Sequence, residues 1–418
     1  MADAAEAGLR GNAAYWRFWW ASSVSEFGTY ITALAIQVLV VVDLHGKAAE
    51  VGLITGARWL PYMLFGVVAG VFVDRVRRRS VCIAADFARG ALLLLVPLLA
   101  LSGRLSIWGL AAFMAAFGLF SLAGDAAAQS LVPRLVPTPL LTRAHARLDQ
   151  SSAVAQTSGP ALAGVLVSLV GAPWAVVADA VSYLFSGLML LSVRIDEPVA
   201  QARPAERAFG REVAEGLRWV YRHPTLAPLA LSTHAWFIVN GVAGAVQAPF
   251  MLQTLRLSPA LFGVALSAVG VGGLAGSLMA TRLGARFGAG RVVIGCRVLT
   301  PLAYVLLALA APGWAGVALV AASRLVFGLS IGAENANEMA YRQAVTPDRL
   351  QGRTNATMRS INRAMLVFAA PLGGLAADAI GYRPMLWLVA LGFGLVPLAL
   401  ALTPFRSARV DRPPPVIA

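Results

Sequence analysis

The sequence predicts an all-α, polytopic membrane protein with twelve transmembrane helices in two pseudo-symmetric six-helix bundles. Three observations predict it. Apolar residues make up 58% of the 418-residue chain and charged residues only 13%, about half the charged share of a soluble domain. Apolar runs of about 20 residues, the length that crosses hydrocarbon, recur along the whole chain. Basic residues gather in alternate loops, as the positive-inside rule requires. The same figures exclude a secreted disulfide scaffold, a disordered chain and an ordinary cytosolic enzyme.

The spans start near Ala14, Val51, Val81, Ile107, Leu148, Pro173, Leu226, Pro259, Val292, Trp314, Thr354 and Pro384. Short polar or Gly/Pro-rich breaks separate them. Backbone polar groups find no partner in lipid, so such runs must be helical. With the N-terminus in the cytoplasm, the inner segments hold 24 of the 34 basic residues, the outer loops 4 and the spans the other 6. A miscounted helix would scramble that split. Both termini are therefore expected in the cytoplasm, with the chain threading the cell membrane and facing its lipid. Asp3 and Glu6 precede the first run without a cleavage site, so no removable signal peptide is expected. A net charge of +14 first suggests nucleic acid. The basic residues are scattered in short loops, however, and are read as topology signals rather than as a nucleic-acid surface.

The longest polar segment runs from Arg194 to Arg222. Phe209, Val213, Val220 and Tyr221 recur in it at roughly helical spacing, which predicts an amphipathic helix at the membrane surface. It divides the chain into a first bundle over 1–193, a linker over 194–222 and a second bundle over 223–418. The halves match at an offset of 210 or 211: Gly52 with Gly263, Phe117-Gly118 with Phe327-Gly328, Pro137 with Pro347, Arg143 with Arg353, Pro160 with Pro371, and Pro173 with Pro384. A duplicated six-helix unit points to a transporter whose site lies between two rocking halves.

After the second span comes Gly70-Val-Phe-Val-Asp74-Arg75-Val-Arg77-Arg78-Arg79. This resembles the G-x-x-x-D-R-x-x-R-R loop of the major facilitator superfamily. The resemblance implies the major facilitator fold, and a cytoplasmic gate at Gly70, Asp74, Arg75, Arg78 and Arg79. Gly70 would allow close helix approach, and Asp74 would meet a helix N-terminus or an arginine. The fifth span carries Gly159-Pro160-Ala161-Leu162-Ala163-Gly164, similar to the family's G-P-x-x-G-G antiporter motif with Ala163 in place of a glycine. The eleventh has a partial copy, Pro371-Leu372-Gly373-Gly374. The stretch from Gly124 to Arg194 resembles the macrolide-efflux and enterobactin-exporter branch, which implies export. Two positions depart from the pattern. The loop after the eighth span has Ala285-Arg286 where the first half has Asp74-Arg75. The fourth span has Met114 where the family often has arginine, while the tenth carries Arg324.

Ionisable residues inside spans are costly and mark function by default. Glu26 lies near the middle of the first span, on one face with Ser22, Tyr30 and Gln37. The seventh span repeats the stripe 210 residues on, as Ser232, Trp236, Asn240 and Gln247. In the superfamily these two spans line the central cavity, so the stripes are expected to face each other across it, in a pocket for a mostly apolar guest. Packing between spans is the competing reading. Glu26 is the first choice as proton carrier, because desolvation favours a protonated carboxyl. Arg58 is its expected ion-pair partner, either functional or as a fixed structural pair. Asp125 and Arg324 follow. Glu338 is expected to be solvated or arginine-paired, and Asp179 and Asp378 structural or gating.

The only lysine, Lys47, sits in no phosphate-binding loop. The four histidines and two cysteines show no metal spacing, and no nucleophile elbow is present. Neither enzyme chemistry, a cofactor nor a metal is expected. The reading is a proton-coupled exporter of small amphipathic compounds, drug-like or siderophore-like, acting as a monomer. A facilitator or importer of a small metabolite is the alternative, and a non-transporting receptor or scaffold the alternative of another class.

Overall fold

The computed structural model describes Leu9 and residues 11–74, 76–195 and 209–410. Among them are no strands and thirteen α-helices: α1 Ala13–Val38, α2 Ala48–Asp74, α3 Arg78–Leu101, α4 Ile107–Leu135, α5 Leu141–Val170, α6 Ala172–Ser192, α7 Phe209–Arg222, α8 Leu226–Pro249, α9 Pro259–Phe287, α10 Ala289–Leu309, α11 Trp314–Val345, α12 Asp348–Ile380 and α13 Tyr382–Ala401. All but α7 have a length suited to crossing a bilayer. Eleven of these twelve, α2 aside, also meet the hydropathy of a membrane span within the described residues. The helices run up and down, so the described chain starts and ends on one face. That face is called here the near end and its opposite the far end. Large apolar side chains such as Leu98, Leu169, Leu278 and Leu402 lie exposed on the outside of the bundle, where lipid rather than water is their solvent.

Local chemistry sets the helix starts. Asn12 Oδ1 accepts from the Tyr15 N–H at 3.0 Å, while its amide donates to Leu135 O at 2.6 Å and ties α1 to α4. Ser106 caps α4 and Ser258 caps α9 in the same way. The duplication is visible in these details. The first helix of each half ends in a π-helical turn, Leu39–Asp43 and Phe250–Thr254. A left-handed residue follows each turn, His45 at φ 53° and Arg256 at φ 54°, offset by 211.

Two seams join the halves, α2 against α12 and α5 against α9. Both depend on missing side chains. A Cβ on Gly52 would stand 2.2 Å from Ala370 O, and one on Gly263 2.2 Å from Pro160 O. Gly374 meets Ala48 and Gly164 meets Pro259 with similar closeness. These are small-residue contacts that let helix backbones touch. Inside the second half, Gly272 and Gly276 of α9 pack on Leu325 and Leu329 of α11, so this G-x-x-x-G pair serves packing within the chain. The linker helix α7 docks at the near end, where Glu215 accepts from Arg349 at 2.6 Å and Arg353 at 2.8 Å on α12. Residues 196–208 of the linker lie outside the described residues.

Candidate functional site

The far end is closed. Asp378 of α12 accepts from the backbone N–H groups of Ala48 and Ala49, both at 3.0 Å, and so caps α2 across the seam. The Gln253 amide donates to Val41 O and Gly46 O at 3.2 and 2.9 Å, and Tyr382 donates to Gln253 at 3.3 Å. The helices part towards the near end. On α5 and α9, Gly164 and Gly263 touch at the far side and Thr157 still meets Gly270. Beyond these contacts most of 145–150 and 281–287 is exposed.

Among the described residues, cavities that share lining side chains run through the interior. One of about 470 Å³ lies between the halves and has Trp59, Tyr62 and Asp125 on one side and Asn355, Arg359 and Arg363 on the other. One of about 330 Å³ shares Asn355, Arg359 and Arg363 and reaches Trp236, Asn240 and Glu334 in the second half. A third of about 180 Å³ holds Ser22, Glu26, Asp86, Arg89 and Asp125 in the first half. A fourth, about 200 Å³, lies further out, with Gln37, Thr55 and Arg58.

The sequence candidates distribute over these spaces. Glu26 faces the cavity of the first half and accepts from Ser152 Oγ of α5 at 2.9 Å. It does not pair with Arg58, against expectation. The Arg58 guanidinium stands 5.7 Å from the Trp59 ring and 5.8 Å from the Phe117 ring, in the outer cavity with Gln37. The two residues project from α1 and α2 at different depths, which spacing within single spans does not reveal. Ser22 lines the same cavity as Glu26, and Tyr30 packs against Gly159. Asp125 accepts from Tyr62 Oη at 2.6 Å and borders two cavities.

In the second stripe, Trp236 and Asn240 line a cavity. The Trp236 ring is nearly parallel to that of Phe327, at 6.5 Å and 9°. Ser232 and Gln247 instead satisfy buried arginines: Ser232 accepts from Arg297 at 2.6 Å, and Gln247 accepts from Arg324. Arg324 is 1% exposed and lies over Tyr304 and Phe327 at 5.0 and 5.3 Å. Thus Gln247 and Arg324, chosen separately, meet.

Two charge networks go beyond the expectation, which extended only to an arginine-paired Glu338. In the second half, Arg297 donates to Glu334 at 2.7 Å, to Thr233 at 2.9 Å and to Glu338 at 3.3 Å; Glu338 also accepts from Arg342 at 3.4 Å. In the first half, Asp86 accepts from Arg89 and, at 2.6 Å, from Ser186, while Arg89 lies 4.3 Å from the centre of the Tyr183 ring. Asp86 and Arg297 are themselves 211 residues apart, so the repeat has placed opposite charges at equivalent points. The signal available in sequence was an acid and a base at i, i+3 inside an apolar run. Asp179 is fully buried against α1, accepting from Thr32 and Ser182.

Of the loop motif, Gly70 and Asp74 lie in the last turns of α2 and Arg75 lies outside the described residues. Arg78 opens α3. Arg79 donates to Leu190 O and Leu191 O at 3.0 and 2.8 Å, capping the C-terminus of α6 within the same half. Of the antiporter-type motif and its copy, Pro160 and Gly164 meet α9 and Pro371 and Gly374 meet α2 on the seams, while Gly159 packs on Tyr30 of α1 and Gly373 on Val242 of α8 within their own halves.

The family model described as transmembrane secretion effector matches residues 5–412. The multidrug efflux pump Tap of Mycobacterium tuberculosis (strain ATCC 25618 / H37Rv) is 27% identical over 409 residues, covering 94% of this chain and 96% of that protein. Macrolide efflux protein A of Streptococcus pyogenes is 23% identical over 217 residues, 52% of this chain and 53% of its own. Among solved structures, the nucleoside transporter NupG superposes with a TM-score of 0.74 at 12% identity, covering 93% and 98% of the two chains. A bacterial homologue of the iron transporter ferroportin in an inward-facing state gives 0.72 at 17%, covering 94% and 98%. These proteins are transporters rather than enzymes.

Proposed function

Since the chain belongs to the transmembrane secretion effector family of major facilitator transporters, we propose that it exports small amphipathic compounds, drug-like or siderophore-like, by proton antiport. The observation that carries the reading is a far end sealed by glycine seams and Asp378, above cavities whose walls come from both halves. Alternating access needs such a state and its mirror image. The halves 1–193 and 223–418 rock about the seams as two bodies of a monomer, with 194–222 as their strap. The near end is the cytoplasmic one, by the distribution of arginines.

Glu26 is the proton carrier. Its carboxylate borders a polar cavity and, among the described residues, holds a single hydroxyl partner, Ser152, and no ion pair, so it can gain and lose a proton there without breaking one. Asp125 is the second carboxylate, facing both the cavity of Glu26 and the one between the halves. Arg58 and Arg324 set the local field, and the Asp74 loop governs near-end closure. Trp236 and Asn240, with Ser22 and Tyr30 opposite, border the guest.

The test is a compound screen in cells with and without the gene, repeated with an uncoupler. Expression should lower accumulation of exported compounds, and the uncoupler should abolish that difference. Accumulation that is unchanged, or that rises with expression, would overturn export; a difference indifferent to the uncoupler would overturn proton coupling.

A further inference from the structure

The walls of the central cavity are not balanced in charge. Arg297 and Arg342 are met by Glu334 and Glu338, and Arg89 by Asp86. Arg359 and Arg363, one turn apart on α12, face the cavity between the halves with no carboxylate partner among the described residues. Arg363 Cζ lies 3.8 Å from the centre of the Trp59 ring on α2, and Arg363 Nε is buried without a hydrogen-bond partner among the described residues. Cations at membrane depth are retained where something pairs with them. Across the same cavity stands Asp125, whose one hydrogen-bond partner among the described residues is the Tyr62 hydroxyl at 2.6 Å.

We infer that this cavity is a subsite for an amphoteric aromatic molecule, its acid group held by Arg359 and Arg363, its protonated amine by Asp125 and its ring beside Trp59. The inference rests on the transporter reading and names the class of its guest. Guanidinium groups one turn apart hold a planar carboxylate through paired charge-assisted hydrogen bonds. Arg363 already covers one face of Trp59, so the guest's ring packs on the parts of Trp59 and Tyr62 that line the cavity. An acid alone would gain from Arg359 and Arg363 but be repelled by Asp125; an amine alone meets the opposite pair of terms.

Three probes on one frame, each with a different charge masked or none, test this: Nε-dansyl-lysine, with free amine and carboxylate; its methyl ester; and its Nα-acetyl derivative. Binding to the purified full chain in nanodiscs is read by energy transfer from tryptophan to dansyl. The free amphoteric probe should bind about ten-fold tighter than either masked form, the scale of one lost charge-assisted contact. Arg359→Gln and Arg363→Gln should erase its advantage over the ester, whose own binding should tighten as a repelling cation is removed. Asp125→Asn should erase its advantage over the acetylated form. Equal binding of all three probes, no binding of any, or variants that weaken all three alike would overturn the assignment. A glutamine variant that binds none of them is replaced by Arg363→Lys, whose charge must keep the preference for the free acid; indifference there also overturns it. No gradient is used, so a protein that binds these probes but never moves a compound uphill contradicts export and leaves the subsite standing.

Discussion

The Arg297 guanidinium on α10 donates from Nε to Glu334 on α11 at 2.7 Å, with side-chain exposures of 1% and 7%. Removing Arg297 strands Glu334, at a cost of about 3–5 kcal/mol; removing Glu334 leaves Arg297 only the longer carboxylate contact, to Glu338 at 3.3 Å, a smaller loss. Arg297→Met and Glu334→Gln should therefore each lower the thermal unfolding midpoint of the detergent-purified protein well beyond surface controls. The double variant Arg297→Met/Glu334→Met should recover part of the loss, because no charge is left unpaired. A double variant as unstable as the sum of the singles would show that the pair is not the source.

The glycine seams give a conformational prediction. A methyl group on Gly52 or Gly263 would lie 2.2 Å from a carbonyl oxygen of the other half, so Gly52→Ala and Gly263→Ala must open the far end. A shift of about 1.4 kcal/mol changes the populations ten-fold. Spin-label distances between Lys47→Cys and Ser258→Cys, with Cys82 and Cys296 replaced by serine, should lengthen in both variants. Gly295→Ala is the control, since nothing lies within 4 Å of its added carbon. Unchanged distances in the seam variants would mean that the helices slide to accommodate the methyl.

Much of this architecture was legible in the residues. Apolar runs and the arginine split gave twelve crossings, and the helices observed begin within seven residues of the expected starts, as at Leu141 for Leu148. That largest miss has a cause: the near end of α5 carries Arg143, Arg147 and Asp149, which a hydropathy reading excludes but an exposed helical turn tolerates. Partners between helices were not legible. Glu26 was found because it is one charge in an apolar run, whereas its acceptance from Ser152 depends on the rotation and depth of α5 against α1. The same unknown produced the mistaken Glu26–Arg58 pair. Arg359 and Arg363 were invisible for a different reason, since one span holding two arginines gives no hint of whether a carboxylate faces them.

Glu26 borders a polar cavity and accepts from one hydroxyl. If it carries the proton, Glu26→Gln should abolish uphill export from energised vesicles while equilibrium binding of an exported compound persists. Ser152→Ala removes a hydrogen bond worth roughly 1–3 kcal/mol to the charged form and should shift the pH dependence of export to higher pH without abolishing it. Full export by the glutamine variant would remove Glu26 from the mechanism.

His223, between α7 and α8, connects pH to stability. Its Nδ1 accepts from the N–H groups of Thr225 and Leu226, both at 3.3 Å, at the N-terminus of α8. Burial lowers its pKa from the ordinary histidine value, and the positive end of the helix dipole acts in the same direction. A protonated ring would lose the acceptor and set a cation against those N–H groups. The sign follows: the neutral ring contributes stability fully present above about pH 6.5, the unfolded value, and lost as pH falls through the lower folded value. Thermal midpoints at pH 7.5 and pH 5 should differ more in the native protein than in His223→Asn, whose amide oxygen accepts the same bonds at either pH. Equal pH sensitivity in the two would place the titrating group elsewhere.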